Sequence, residues 1–141
     1  MPVVVAVDED TKEEVLLEAE QLAADRDLQL HVVHVISEST FKNLEETNIK
    51  DTGQPVDLET VRKFAAEVGE QVASGILSEY TSVGLEGDEP TRIVQYLQEV
   101  DAEYAVVGVH KRSPVGKAIF GSVSQSILLN ADCPVLAVRT T

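Results

Sequence analysis

The 141-residue sequence holds a single cysteine, Cys133, which excludes an internal disulfide and a cysteine-based metal cluster. Cys133 is expected to pack at a strand start. No apolar run approaches the ~20 residues that a membrane-spanning helix requires, and the N-terminus lacks the charged-then-apolar pattern of a secretory signal. A cytoplasmic protein with no membrane partner is the expectation. Basic residues are also scarce, 11 against 25 acidic ones, for a net charge of −14. Such a surface keeps a protein soluble and repels nucleic acid and anionic membranes. Spread over helix faces, the acid excess also fits a salt-rich cytoplasm. The 43% apolar content argues against disorder. The length suits one domain, residues 1–141, able to bury a proper core.

The most informative absence is local. From Tyr104 to Ala131 there is no Asp or Glu. Residues 1–103 carry a net charge of −17, whereas residues 104–141 carry +3, with Asp132 as their one acid. An acidic surface repels phosphate unless one stretch is cleared for it. This stretch is cleared, and it keeps glycines.

Hydrophobic patterning places that stretch in a fold. Val3–Val7 is a β-branched run suited to a strand buried on both faces. Thr11 and Glu14 have capping-box spacing, and Val15, Leu16, Ala19, Leu22 and Ala23 form one helical stripe. Leu30–Ile36 reads as a second buried strand, and residues 37–56 as a polar, irregular excursion. A long helix from Asp57 aligns Val61, Phe64, Ala65, Val68 and Val72. A third strand follows at Ser82–Leu85, and a helix from about Pro90 with Ile93, Val94, Leu97 and Val100 inward. A fourth strand is expected at Tyr104–Val109, a last helix near Ser122, and a fifth strand at Val135–Arg139. Strands alternating with helices imply a parallel sheet covered on both faces by right-handed crossovers. Ligands of such sheets sit at strand carboxyl ends where the winding reverses. The first strand, ending at Asp8, and the fourth, ending at Gly108, are expected side by side there.

Two phosphate motifs fail in this loop. Gly116-Lys117 is followed by Ala118 instead of Ser/Thr, and Gly108 lies eight residues before Gly116 where a Walker loop needs five. The G-x-G-x-x-G fingerprint is absent. What remains is Gly121-Ser122 opening a helix, whose bare amides and positive dipole end attract an anion. Glycine at 121 lets a phosphate approach the backbone closely. Ser122 and Gln125 have capping-box spacing, so Ser122 either caps the helix or turns its hydroxyl to a phosphate. Lys111 and Arg112 add positive charge beside the site, and His110 lies within its reach.

These residues resemble the nucleotide-binding motif of the universal stress protein family, G-x2-G-x9-G-[ST]. Gly108, Gly121 and Ser122 stand at the required spacing, with Lys111 in place of the second glycine. "VAVDED", "HVVHVI", "EGDEPTRIVQYL", "DAEYAVVG" and "ADCPVLAVR" are similar, in order, to family segments along the whole chain. The resemblance implies a single doubly wound α/β domain with an open parallel sheet in the order 3-2-1-4-5. It implies ATP or a related adenine nucleotide, with Mg2+ or Mn2+ on the phosphates, as ligand. Adenine and ribose would lie against Ala6, Val7, Asp8 and the backbone of Val35. Phosphates would meet Gly108, Lys111, Gly121, Ser122 and Val123, with Val107, His110 and Arg112 beside them. The implied partners are a second copy, joined through the C-terminal strand, and an unidentified protein.

Three other readings compete. A phosphorelay receiver shares "VDED" after strand one, but it needs an acceptor Asp ending strand three and a Lys ending strand five. Those places hold Leu85-Glu86-Gly87 and Val138-Arg139. An enzyme needs a nucleophile–base pair, and none is legible, so ATP hydrolysis is expected to be slow if it occurs. His31 and His34 fall on opposite faces of a strand and cannot jointly grip a metal. A dimeric interaction module that binds no nucleotide is the third.

Overall fold

The computed structural model describes residues 1–43, 46, 53, 57–111 and 118–140, with backbone alone at 110, 111, 118 and 119. The elements in chain order are β1 (Val3–Ala6), α1 (Glu13–Asp25), β2 (Leu30–Ile36), α2 (Leu58–Ala73) and β3 (Thr81–Glu86). Then come α3 (Glu89–Glu99), β4 (Tyr104–Lys111), β5 (Ala118–Ile119), α4 (Ser122–Asn130) and β6 (Val135–Thr140).

Five strands pair in parallel in the order β3-β2-β1-β4-β6, so the last long strand takes the fifth place in the expected 3-2-1-4-5 sheet. The β-branched runs explain the choice of strand, since they suit a pleated surface buried on both sides. Side-chain alternation splits the core in two. Val3, Val5, Val32 and Val106 face α1, packing on Val15, Leu16 and Ala19. Val4, Val33, Ala105 and Val107 face α3 and α4, packing on Ile93, Leu97 and Ile127. Helices therefore cover both faces, as a doubly wound sheet requires.

Three local expectations are corrected. β4 does not end at Gly108 but continues to Lys111. Its extension is paired on one edge by Arg139 and Thr140 of β6 and on the other by the two-residue antiparallel β5. The excursion after β2 begins with helical backbone at residues 38–43, where Ser37 Oγ accepts from the Thr40 amide at 3.3 Å. Phe41 packs there against Ile36, Val61 and Ala65. Most of residues 44–56 lie outside the described residues.

The third correction concerns α2. Its buried row is Val61, Ala65, Gly69 and Ala73, and Phe64 stays 46% exposed. The reason is proximity. A Cβ on Gly84 of β3 would collide with the Arg62 carbonyl and the Ala66 amide nitrogen, and one on Gly69 would come within 2.8 Å of Ser82 Oγ. Ser82 Oγ also donates to the Ala66 carbonyl. Small residues in an i, i+4 row let this helix lie almost on the strand, and a phenylalanine has no room there. Helix α3 deviates less: Tyr96 joins Ile93 and Leu97 in the core, while Val94 and Val100 pack at its margin. No described helix is long and apolar enough to cross a membrane.

Candidate functional site

Because β1 and β4 are neighbours whose chains leave in opposite directions across the sheet, their carboxyl ends frame a crevice. A cleft of about 250 Å³ occupies it, and its walls include Ala6, Val7, Asp8, Val107, Gly108, Gly121, Ser122 and Val123. Eight of the twelve residues expected from sequence thus converge. Val35 does not reach the cleft. It stays in the β2–β3 ladder opposite Leu85, its side chain buried in the core, and Ser37, Glu38 and Ser39 of the same chain segment line a neighbouring groove instead. His110 and Lys111 are placed by backbone only, at the tip of β4, and Arg112 lies outside the described residues.

Asp8 is held by a local turn. Its Oδ1 accepts from the Asp10 amide at 2.8 Å and from Thr11 Oγ1 at 3.3 Å, while its own amide donates to Thr11 Oγ1 at 2.9 Å. Thr11 is therefore not the cap of α1, as its spacing to Glu14 suggested; the cap position is Lys12, with no side-chain bond. The Thr11 hydroxyl is committed to Asp8, which orients that carboxylate and leaves Oδ2 without a hydrogen bond to a described residue.

At the opposite wall, α4 begins with Gly121 as its N-cap, and no side chain caps it. The capping-box expectation for Ser122 and Gln125 is corrected accordingly: Ser122 is already helical, and the first intrahelical bond runs from the Gln125 amide to the Gly121 carbonyl at 2.9 Å. The amides of Ser122, Val123 and Ser124 precede that bond, so the helix itself supplies them with no acceptor. All three residues line the cleft. Helices α1, α2 and α3 each carry acid in the first turn, and α4 carries none. The acid-free window of the sequence ends up as this unblocked positive helix end.

The two glycines of the motif differ in what they do. A Cβ on Gly108 would approach Val15 Cγ2 to 3.0 Å, so that glycine seats β4 against α1. A Cβ on Gly121 would meet nothing within 4 Å, and its φ of −74° suits any residue. Neither packing nor backbone strain asks for glycine at 121.

Thr11, Lys12, Val15, Glu89 and Ser124 also line the cleft and were not singled out by sequence reasoning. Ser124 had a legible signal, two residues past Ser122 in the first turn of α4; its hydroxyl donates to the Gly108 carbonyl at 3.0 Å, tying the helix start to β4. Glu89 enters from α3, which no local pattern relates to Asp8. Burial pushes its carboxyl above the usual carboxylate range; Asp8 and Asp88 add to that shift and His34 opposes it. The two histidines of β2 have separate partners: His31 Nδ1 meets the Tyr96 hydroxyl at 2.7 Å, and His34 Nδ1 the Val7 carbonyl at 2.9 Å. Burial also raises the Cys133 thiol, which packs at the start of β6 as expected.

A doubly wound α/β domain with its cleft at the switch point, closed on one side by an uncapped helix start, defines the class of protein. The family follows from comparison. The model of the universal stress protein family matches residues 1–139, and the chain belongs to that family. It is similar to a universal stress protein of Methanocaldococcus jannaschii, 26% identical over 138 residues that span 92% of this chain and 76% of the relative. A solved universal stress protein structure from Archaeoglobus fulgidus superposes with a TM-score of 0.60 at 31% identity, covering 98% of both chains. Another from that organism, solved in complex with dAMP, gives 0.55 at 27% identity over 98% of this chain and 97% of the other.

Proposed function

We propose that this chain binds ATP or a related adenine nucleotide in the switch-point cleft and acts as a cytoplasmic stress-response module. The carrying observation is Gly121: a glycine that neither packing nor backbone strain requires, beside three helix amides with no intrahelical acceptor. The phosphates lie against Gly108, Gly121, Ser122 and Val123, with His110, Lys111 and Arg112 of the basic segment beside them and Mg2+ or Mn2+ as counterion. The adenosine end lies against Ala6, Val7 and Asp8, with Val107 at the floor. The dAMP complex of the Archaeoglobus relative supports the ligand class. Binding is the function proposed.

Isothermal titration of two variants tests how the ligand lies. Asp8→Ala lowers affinity for ATP and adenosine alike, by about tenfold or ~1.4 kcal/mol, because Asp8 serves the shared nucleoside end. Lys111→Ala weakens ATP about tenfold and leaves adenosine within about twofold. Equal effects of both variants on both ligands overturn the assignment of the two ends. Mass spectrometry of small molecules retained by the undialysed protein distinguishes this reading from an interaction module that binds no nucleotide.

The same proposal includes a homodimer through β6. That strand pairs with β4 on one side, and no described strand pairs with the other. Val135, Leu136, Ala137 and Val138 are half-buried, and a bare apolar edge invites a second strand. Two copies meeting antiparallel satisfy each other's free backbone groups. Sedimentation is expected to give a dimer, and Leu136→Pro, which removes a donor and fixes the backbone angle, to shift it toward monomer. Wild-type protein sedimenting as a 15.3 kDa species across micromolar concentrations overturns the dimer.

A further inference from the structure

Beside the 250 Å³ cleft lies a second hollow of about 350 Å³, at the carboxyl ends of β2 and β3, lined by Ser37, Glu38, Ser39, Gly87, Asp88 and Pro90. The two share three wall residues: Glu89, Ser122 and Val123. The two hollows therefore adjoin at the start of α3 and the first turn of α4. Ser122 and Val123 bring the start of α4 to that shared wall. Glu89 contributes a carboxylate.

The charged wall residues are unevenly placed. The first cleft has Lys12 on its wall together with Asp8 and Glu89. The second has Glu38, Asp88 and Glu89 and, among the described residues, no basic wall residue. His34 on β2 is near enough to act on Glu89. Arg92, one turn along α3, is directed to Glu99 at 3.1 Å. Asp88 is committed to its own helix, accepting from the Thr91 amide and hydroxyl at 3.4 and 2.6 Å. Glu89 makes no hydrogen bond to a described residue, and it is the one carboxylate common to both hollows.

A glutamate at the first position of a helix is ordinarily explained by the helix dipole, which favours its charged form. Here burial is the largest influence and holds the carboxyl above its usual range, with His34 opposing and Asp8 and Asp88 adding to it. The charge is placed where burial disfavours it, on the wall that the two hollows share.

We propose that Glu89 is a specificity-determining residue that sets the charge a ligand may carry where it crosses from the first cleft into the second. This deepens the nucleotide reading and rests on it. A phosphate chain bound at the α4 amides is kept from running on into the second hollow; only an uncharged edge of the nucleoside seated against Ala6, Val7 and Asp8, a hydroxyl or amine, reaches past Glu89 toward it. Glu89 thus fixes the direction in which a nucleotide lies and limits how strongly the site favours multiply charged ligands. Protonation of Glu89 relaxes that limit, and because burial raises its carboxyl this sets in at a higher pH than for an exposed glutamate.

The test is the ratio of adenosine to ATP dissociation constants, by titration calorimetry at pH 8 and pH 5.5, for wild type, Glu89→Gln and Glu89→Ala. Both variants are expected to shift the ratio toward ATP by about fivefold at pH 8, since each removes the charge and Gln keeps the shape. The shift is expected to shrink at pH 5.5, since burial holds the Glu89 carboxyl above the usual range and so brings it nearer to protonation there. A merely structural role lowers both affinities together and leaves the ratio unmoved, and that result overturns the proposal. Wild-type protein that binds neither ligand sinks the nucleotide reading and this inference with it. Wild-type binding with the same ratio in all three proteins sinks this inference alone.

Discussion

Gly121→Val is expected to weaken ATP binding by at least about tenfold, ~1.4 kcal/mol or more, in a protein that folds as before. The backbone at 121 sits at φ −74° and ψ 172°, which valine adopts readily, and a Cβ there meets no protein atom within 4 Å. Glycine is a better N-cap than valine, so the substitution costs no more than about 1 kcal/mol of helix stability. The branched side chain would stand beside the Ser122 and Val123 amides, where a phosphate must come close. Titration of the purified variant gives the affinity, and thermal unfolding in the absence of ligand gives the structural cost. Unchanged affinity would remove the site from consideration. A companion, Gly121→Ser, separates the two effects further: serine caps α4 slightly better than glycine, so stability holds or rises while ATP affinity falls.

Gly84→Ala is expected to act in the opposite sense, through the fold and away from the cleft. The added Cβ would overlap the Arg62 carbonyl and the Ala66 nitrogen, both backbone atoms of α2, with Ala65 Cβ at 2.9 Å. No rotamer change relieves such a contact. Helix and strand have to separate, and loosening the α2–β3 seam is expected to cost about 3 kcal/mol, the upper range for overpacking. For a chain of this length that lowers the melting midpoint by roughly 10 °C. Denaturant unfolding checks it, and a loss below about 1 kcal/mol would mean that α2 lifts off the sheet easily. Gly75 offers the contrast. Its φ of +83° asks for glycine although nothing lies within 4 Å of a Cβ there, so Gly75→Ala tests backbone strain without overlap.

Both predictions concern glycines, and the sequence did not distinguish them by role. Gly121 was legible because it opens a helix with Ser122 and stands 13 residues after Gly108, the spacing of the motif it resembles. Gly84 was passed over inside a four-residue strand. Its role appears only where α2 crosses β3, because the distance between two packed elements is not encoded in the periodicity of either. For the same reason the α2 stripe was misread. Apolar spacing put Phe64 inward, whereas a helix lying this close to a strand selects by volume, and the small row Val61, Ala65, Gly69 and Ala73 takes the contact.

The sequence by itself determined the alternation of strand and helix, a parallel sheet, the switch point between β1 and β4, and the acid-free helix start, because hydrophobic period, turn residues and charge runs are local properties; the resemblance to the universal stress protein family implied the order 3-2-1-4-5. It also named Ala6, Val7, Asp8, Val107, Gly108, Gly121, Ser122 and Val123, which the fold does bring to one cleft. Tertiary structure alone decided which neighbours complete it. Ser124 is drawn to the Gly108 carbonyl, because a hydrogen-bond partner on a neighbouring element outcompetes the local one when geometry favours it. β4 is lengthened past Gly108 because β5 and β6 arrive on its two edges. Glu89 is brought toward Asp8 from 81 positions along the chain, since parallel strands collect their carboxyl ends at one edge of the sheet however far apart they lie in sequence.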